Sequence, residues 1–281
     1  MQISKFTPKS SAFPDTLRNI PKPPSVLYMR GQLPAGQYVA IVGSRRPTPY
    51  GEQVTHQLAS ELAAAGAVIV SGLAIGLDGI AHQAAVDAGG KTVAILAHGL
   101  DKIYPARHRA LAEQILATGG AILSEYEPGV EALPHHFVER NRLIAGLSEA
   151  VIVTEAATKS GSLITARDAL AAGRTVMAVP GNITSVYSAG PNNLIRSGAI
   201  PITSAADAIV ALGYHAAEAV PVSAQSPQEA ALIELIKAGH ISSDDLITRS
   251  SLTPAEFANI ISLMEITGKV RNLGAGNWVV R

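Results

Sequence analysis

The sequence predicts an α/β protein: a doubly wound, mostly parallel Rossmann-like sheet followed by a small C-terminal winged helix-turn-helix domain. Three observations carry that prediction. From Gln37 onward, short apolar β-rich runs alternate with Ala-rich helical stretches. The runs are apolar nearly throughout and show no polar alternation, as expected of strands when helices cover both faces of their sheet. After Gly213 the alternation stops, and three short helical segments lead into two strands around the Gly-Ala-Gly turn at 274–276.

Taken in order, residues 1–35 read as an N-terminal extension with five Lys/Arg against one Asp. Residues 36–213 form the Rossmann-like domain, with strands at "YVAIV" (38–42), "AVIVS" (67–71), "TVAIL" (92–96), "AILS" (121–124), "AVIVT" (150–154), "TVMAV" (175–179) and "AIPI" (199–202). The segments between them are long enough for crossover helices, which makes the sheet parallel. Residues 214–226, rich in Ala, Pro and Ser, read as a linker. Residues 227–281 form the winged-helix domain, with helices at Pro227–Lys237, Ser242–Thr248 and Thr253–Thr267.

Composition narrows the chemistry. The 281 residues are 47% hydrophobic and 16% charged, the balance of a soluble globular chain. With no cysteine, disulfides, thiolate catalysis and thiolate metal sites are all excluded. No apolar run reaches the length of a membrane span and no secretory h-region opens the chain, so a cytoplasmic protein without a membrane partner is expected. The 22 basic and 22 acidic residues cancel. A polyanion would therefore have to be held by a local cluster rather than by the field of a whole domain.

Such sheets bind ligands beyond the carboxyl ends of their strands, so the loops there are the candidate binding segments. The first, "VGSRRPTPYG", runs a strand into Gly43, Ser44, Arg45 and Arg46 and then a helix near Gly51, offering free N–H groups and a helix N-terminus to an anion. Arg46 precedes Pro47, is biased towards extended backbone, and should point elsewhere. The second, "SGLAIGLDGIAH", holds Asp78 as a helix cap and His82 as a structural histidine. The third, "HGLDKIYPARHR", brings Arg107 and Arg109 to the start of a helix, with Asp101 closing a turn. The fourth leads into "FVERNRLIAGLS", which places Arg140, Asn141 and Arg142 at the front of an amphipathic helix, with Phe137 sealing the core. The fifth, "EAATKSGSLITARDA", is the clearest: Lys159, Ser160, Gly161, Ser162 and Thr165 combine a cation, hydroxyls and free N–H groups at a helix start. No nucleophile elbow, Walker lysine or metal-ligand spacing among the eight histidines accompanies these loops, so neither catalysis, nor a metal, nor a cofactor is expected.

The motifs "PPSVLYMRG", "VGSRRPTPYG", "SGLAIGLDGIAH", "LDKIYP", "SEYEPG", "FVERNRLIAGLS", "EAATKSGSLITA", "GRTVMAVPG" and "NNLIRSGA" together resemble the DNA-processing protein A family, DprA or Smf, over roughly residues 14–213, and the tail resembles the winged helix of many members. The resemblance implies a non-enzymatic, cytosolic, single-stranded DNA-binding protein. It implies homodimerisation through the Rossmann-like domain and loading of RecA onto incoming DNA during natural transformation. The family's DNA-contacting loop falls on Gly43, Ser44 and Arg45, and its Arg-Asn-Arg segment on Arg140, Asn141 and Arg142. Three departures stand out. Ala106 replaces a frequent lysine after Tyr-Pro, leaving Arg107 or Arg109 to supply the charge, and His108 replaces an asparagine. The third is that only about 35 residues precede the predicted first strand, so the family's frequent N-terminal helical domain is expected to be missing.

One enzymatic alternative stands beside this reading. Nucleotide phosphoribohydrolases use a related Rossmann fold, and Asp168 placed three residues after Thr165 partly echoes their Gly-Thr-x-x-Glu segment. The preceding Pro-Gly-Gly is absent and Asp is the shorter acid.

Overall fold

The computed structural model describes residues 3–213, 224–274 and 276–280. The chain divides into two compact units, Met1–Ala216 and Ala217–Arg281. Most of the expected linker, 214–223, lies outside the described residues.

The first unit is built on one nine-stranded sheet. Its parallel strands are β3 (Tyr38–Val42), β4 (Val68–Ser71), β5 (Thr92–Leu96), β6 (Ala121–Ser124), β7 (Ala150–Val153), β8 (Thr175–Ala178) and β9 (Ile200–Pro201). They lie in the order β6-β5-β4-β3-β7-β8-β9, so the winding reverses between β3 and β7. All of β4 to β7 is buried, which explains why these strands carry no polar alternation. The helices α2 (Pro49–Ala64), α3 (Leu77–Asp87), α4 (Arg109–Ala117), α5 (Pro134–Leu147), α6 (Gly161–Ala171) and α7 (Ala189–Arg196) form the crossovers, and α8 (Ala205–Ala211) follows the last strand. Leu58, Leu62, Ala81 and Ala84 cover one face of the central strands, and Leu143, Ile144, Ala166 and Ala169 cover the other.

The first 35 residues depart from the expectation of an extension outside the sheet. They supply β1 (Ser4–Phe6), the short helix α1 (Asp15–Arg18) and β2 (Leu27–Gly31). β2 runs antiparallel beside β6, with Met29 opposite Leu123, and β1 pairs antiparallel with β2. Phe13, Leu17 and Ile20 are buried in the same core as Leu143 and Leu147 of α5.

The second unit packs α9 (Pro227–Lys237), α10 (Ser243–Ser250) and α11 (Pro254–Ile266) with the antiparallel pair β10 (Val270–Gly274) and β11 (Asn277–Val280). Leu232, Leu246, Phe257, Ile261, Met264 and Trp278 form its core. Ser226, Ser242 and Thr253 cap the three helices by accepting backbone N–H bonds, so the sequence marks each start locally. The arrangement is the expected winged helix.

Candidate functional site

The reversal between β3 and β7 opens a crevice at the carboxyl ends of the strands. It holds a cleft of about 440 Å³ whose walls include Gly43, Ser44, Arg45, Asn141, Lys159, Ser160, Gly161, Ser162 and Thr165. Nine of the thirteen residues singled out from the sequence thus meet in one place.

Two neighbouring helix starts face this edge, and they are built differently. α2 is capped by Thr48, whose side chain accepts the Gly51 N–H. Glu155, buried just past the end of β7, then accepts the Thr48 N–H at 2.9 Å and the Thr48 hydroxyl at 2.5 Å. Its carboxylate lies so close to Gly51 that any side chain at that position would collide with it. The chain's own carboxylate therefore occupies the place an anion would take. This corrects the expectation that the helix after "VGSRRPTPYG" offers its N-terminus to a ligand.

The start of α6 is open. Ser160 is its N-cap, with Oγ accepting the Ser162 N–H at 3.3 Å and lying 2.7 Å from the Ser162 hydroxyl. The Gly161 N–H, at the first helical position, has no carbonyl four residues back to bond. Nothing lies within 4 Å of where a Gly161 side chain would begin. The Asn141 amide holds the Gly161 carbonyl at 3.2 Å, fixing the turn from behind. Lys159 is exposed beside it and forms no ion pair among the described residues.

The first-strand loop closes the cleft from the opposite side. A side chain at Gly43 would come within 2.5 Å of Leu77 and 3.0 Å of the Glu155 carbonyl, so only glycine fits between β3 and α3. Ser44 Oγ accepts the Arg46 N–H at 3.0 Å, which shapes the turn and leaves its own proton for a ligand. Arg45 is exposed, and its guanidinium lies 5.1 Å from the centre of the Phe137 ring. Phe137 is only half-buried and also meets Tyr104 at 6.0 Å, with Tyr104 mostly exposed. The expectation that Phe137 seals the core is therefore corrected: its ring forms part of an exposed aromatic edge.

Four of the expected residues do not line the cleft. Arg140 is the main correction: it is 3% exposed and donates to the carbonyls of Gly72, at 2.8 Å, and Ile95. Beside it, burial pushes the Asp78 carboxyl above its usual range, opposed by the Arg140 charge and the Gly72 N–H. Burial lowers the Arg140 pKa to about 10, so the guanidinium remains charged at neutral pH. Arg140 is a buried strut behind the site. Arg142 is held by Glu125, both side chains being largely covered. Arg107 lines a neighbouring groove of about 500 Å³ that it shares with Arg45, and Arg109 lies exposed at the start of α4, outside both concavities.

Sequence reasoning also missed or misassigned several supporting groups. Asp78 does not cap α3, whose N-cap is Gly76; it accepts the Gly72 N–H at 3.1 Å. Asp101 ties its loop to a distant one by accepting the Gly129 N–H at 2.6 Å. His82 is fully buried and structural, as expected: Thr92 donates to the Ile69 carbonyl and so accepts from His82 Nδ1 at 2.6 Å. Asp168 pairs with Arg167 and does not line the cleft, although Thr165 does.

The first unit is thus a doubly wound α/β domain with a cationic, hydroxyl-lined helix start at its switch point, and it is joined in sequence to a winged helix. The family model described as "DNA recombination-mediator protein A" matches residues 4–213, and that of the "DprA winged helix domain" matches residues 216–276. The chain belongs to the DNA recombination-mediator protein A family, DprA/Smf. It is similar to the DNA processing protein DprA of Bacillus subtilis, at 46% identity over 208 residues, covering 73% of this chain and 70% of the relative. Among solved structures it resembles DprA of Streptococcus pneumoniae, at 39% identity and a TM-score of 0.71, covering 76% of each chain. It also resembles DprA of Helicobacter pylori, at 37% identity and a TM-score of 0.68, covering 76% of this chain and 98% of that one. The H. pylori structure is described by its single-stranded DNA binding mode. The chain spans about half to about three quarters of the length of the curated relatives it matches. Among the described residues, no helix is long and apolar enough to cross a membrane.

Proposed function

We propose that the protein is a non-enzymatic recombination mediator that binds single-stranded DNA in the cleft between β3 and β7, protects it, and loads RecA onto it during natural transformation in the cytoplasm. The observation that carries the reading is the open start of α6, with Lys159 beside it and Arg45 across from it. The N–H and hydroxyl groups suit one phosphate, the two cations suit its neighbours, and the exposed Phe137–Tyr104 edge suits unstacked bases. Single-stranded DNA binding in the H. pylori relative supports the same ligand here. The family's description as a recombination mediator supports the RecA step. Homodimerisation through the first unit is supported by apolar side chains left exposed on its β8–β9–α8 region, among them Ile183, Val186, Ile200 and Val210. The winged helix has a lesser part in DNA binding, since α11 carries no lysine or arginine.

The test is a binding series with single-stranded DNA, duplex DNA and mononucleotide competitors. Single strands should bind best and weaken with salt, with a slope of about 0.7 per phosphate contact. Equal affinity for duplex would overturn the reading. Adenine release from AMP at an enzyme-like rate would favour the phosphoribohydrolase alternative instead. Removing residues 220–281 should lower single-strand affinity by less than about tenfold.

A further inference from the structure

The first turn of α5 carries a group of side chains that the nucleic-acid reading does not use. His135 and Glu139 stand four residues apart and so share one face of the helix, with His136 beside them. One potential ligand atom from each of the three lies within 4.8 Å of the others. No metal-ligand spacing among histidines is evident in the sequence because one of the three ligands is a carboxylate.

We propose that His135, His136 and Glu139 bind a divalent transition-metal cation of the zinc type. Two imidazoles and a carboxylate are a donor set that such borderline ions favour and that hard ions such as Mg²⁺ do not, and three protein ligands leave a coordination position open. The surroundings preset two of the three. His136 Nδ1 faces the Glu131 carbonyl at 3.2 Å, which places the ring proton there and leaves the Nε2 lone pair for a metal. This imidazole-to-carbonyl bond is the arrangement that orients metal-bound histidines. The Tyr126 ring stacks on His136, with centres 4.1 Å apart, and its hydroxyl donates to Glu139 Oε2 at 2.8 Å, so one residue steadies both ligands. Glu139 and His135 are exposed and neither forms an ion pair among the described residues. The helix N-terminus opposes a cation there. The Glu139 carboxylate offsets that. A bound ion would stiffen the turn that carries Phe137, although the site itself stands whether or not DNA binds nearby.

The test is competition for Zn²⁺ against a chromophoric chelator, using the full chain and its His135→Ala and Glu139→Gln variants. One equivalent should bind to the unaltered protein, excess Mg²⁺ should not displace it, and each variant should bind at least about tenfold more weakly. Zn²⁺ should raise the melting temperature of the unaltered protein and not of the variants. Both replaced side chains are exposed, and unchanged melting without zinc establishes that the variants fold. Absence of zinc binding by the unaltered protein, or an affinity in both variants equal to that of the unaltered protein, would overturn the assignment.

Discussion

The starts of α2 and α6 follow adjacent parallel strands, reach the same edge of the sheet, and have opposite fates. Thr48 and Glu155 close the first from within, while Ser160, Gly161 and Ser162 leave the second facing a cleft. A single loop does both jobs, since Glu155 lies five residues before Ser160. A helix N-terminus is therefore an anion site only if the fold has not already supplied the anion. Of the two favourable places at this switch point, the chain keeps one.

The largest expected effect falls on the wall that separates bound from buried charge. Arg140→Met should cost about 3–5 kcal/mol of stability, because it takes a charged donor from the buried Gly72 and Ile95 carbonyls and the opposing charge from buried Asp78. Chemical denaturation checks this; a stable variant with weakened DNA binding would instead return Arg140 to the cleft. Next, Glu155→Ala should cost about 2–3 kcal/mol by stranding the Thr48 donors. Sulfate should restore part of that loss and should do nothing for the unaltered protein's α2. If sulfate has no such effect, the two helix starts differ by more than one carboxylate. At the open end, Arg45→Ala should weaken single-stranded DNA binding by about 1.5–3 kcal/mol, more than Arg46→Ala, with little change in melting temperature. Anisotropy titrations measure it, and equal loss in the two variants would deny Arg45 a special place.

The smallest effect concerns the frame beneath both ends. His82 is buried neutral, and burial lowers its pKa from 6.5 to about 3. Its folded value lies below its unfolded value, so this contribution is complete above about pH 6.5 and is lost as pH falls towards 3. Between pH 7 and pH 5 the loss should be about 2 kcal/mol. A His82→Gln variant should show a flatter pH profile; an unchanged profile would show that another group governs acid sensitivity.

The central parallel strands β3 to β7 were legible because burial on both faces writes itself as short runs dominated by Val, Ile, Leu and Ala. β1 and β2 were not, because a three-residue strand and "LYMRG" at the end of a proline-rich stretch carry no such signal. The α6 nest was legible, since Lys159 to Thr165 form one continuous segment. Glu155 was illegible as a cap: its partner Thr48 is 107 residues away, and nothing local marks the pair. Arg140 and Arg142 look alike in sequence. Helix periodicity points the first into the core and gives the second to Glu125, and only the packing tells them apart.

The strand β2 has a consequence for how the molecule can be cut. Composition places a boundary near residue 36, yet β2 covers the backbone edge of β6 through pairs such as Tyr28 with Ser124. A fragment starting at 36 would bare the Ala-Ile-Leu-Ser edge of β6 and open the core that Phe13 and Leu17 fill. An uncovered apolar edge is a template for strand addition from other molecules. The N-terminal segment is thus the molecule's guard against aggregation, and its loss should appear first as precipitation.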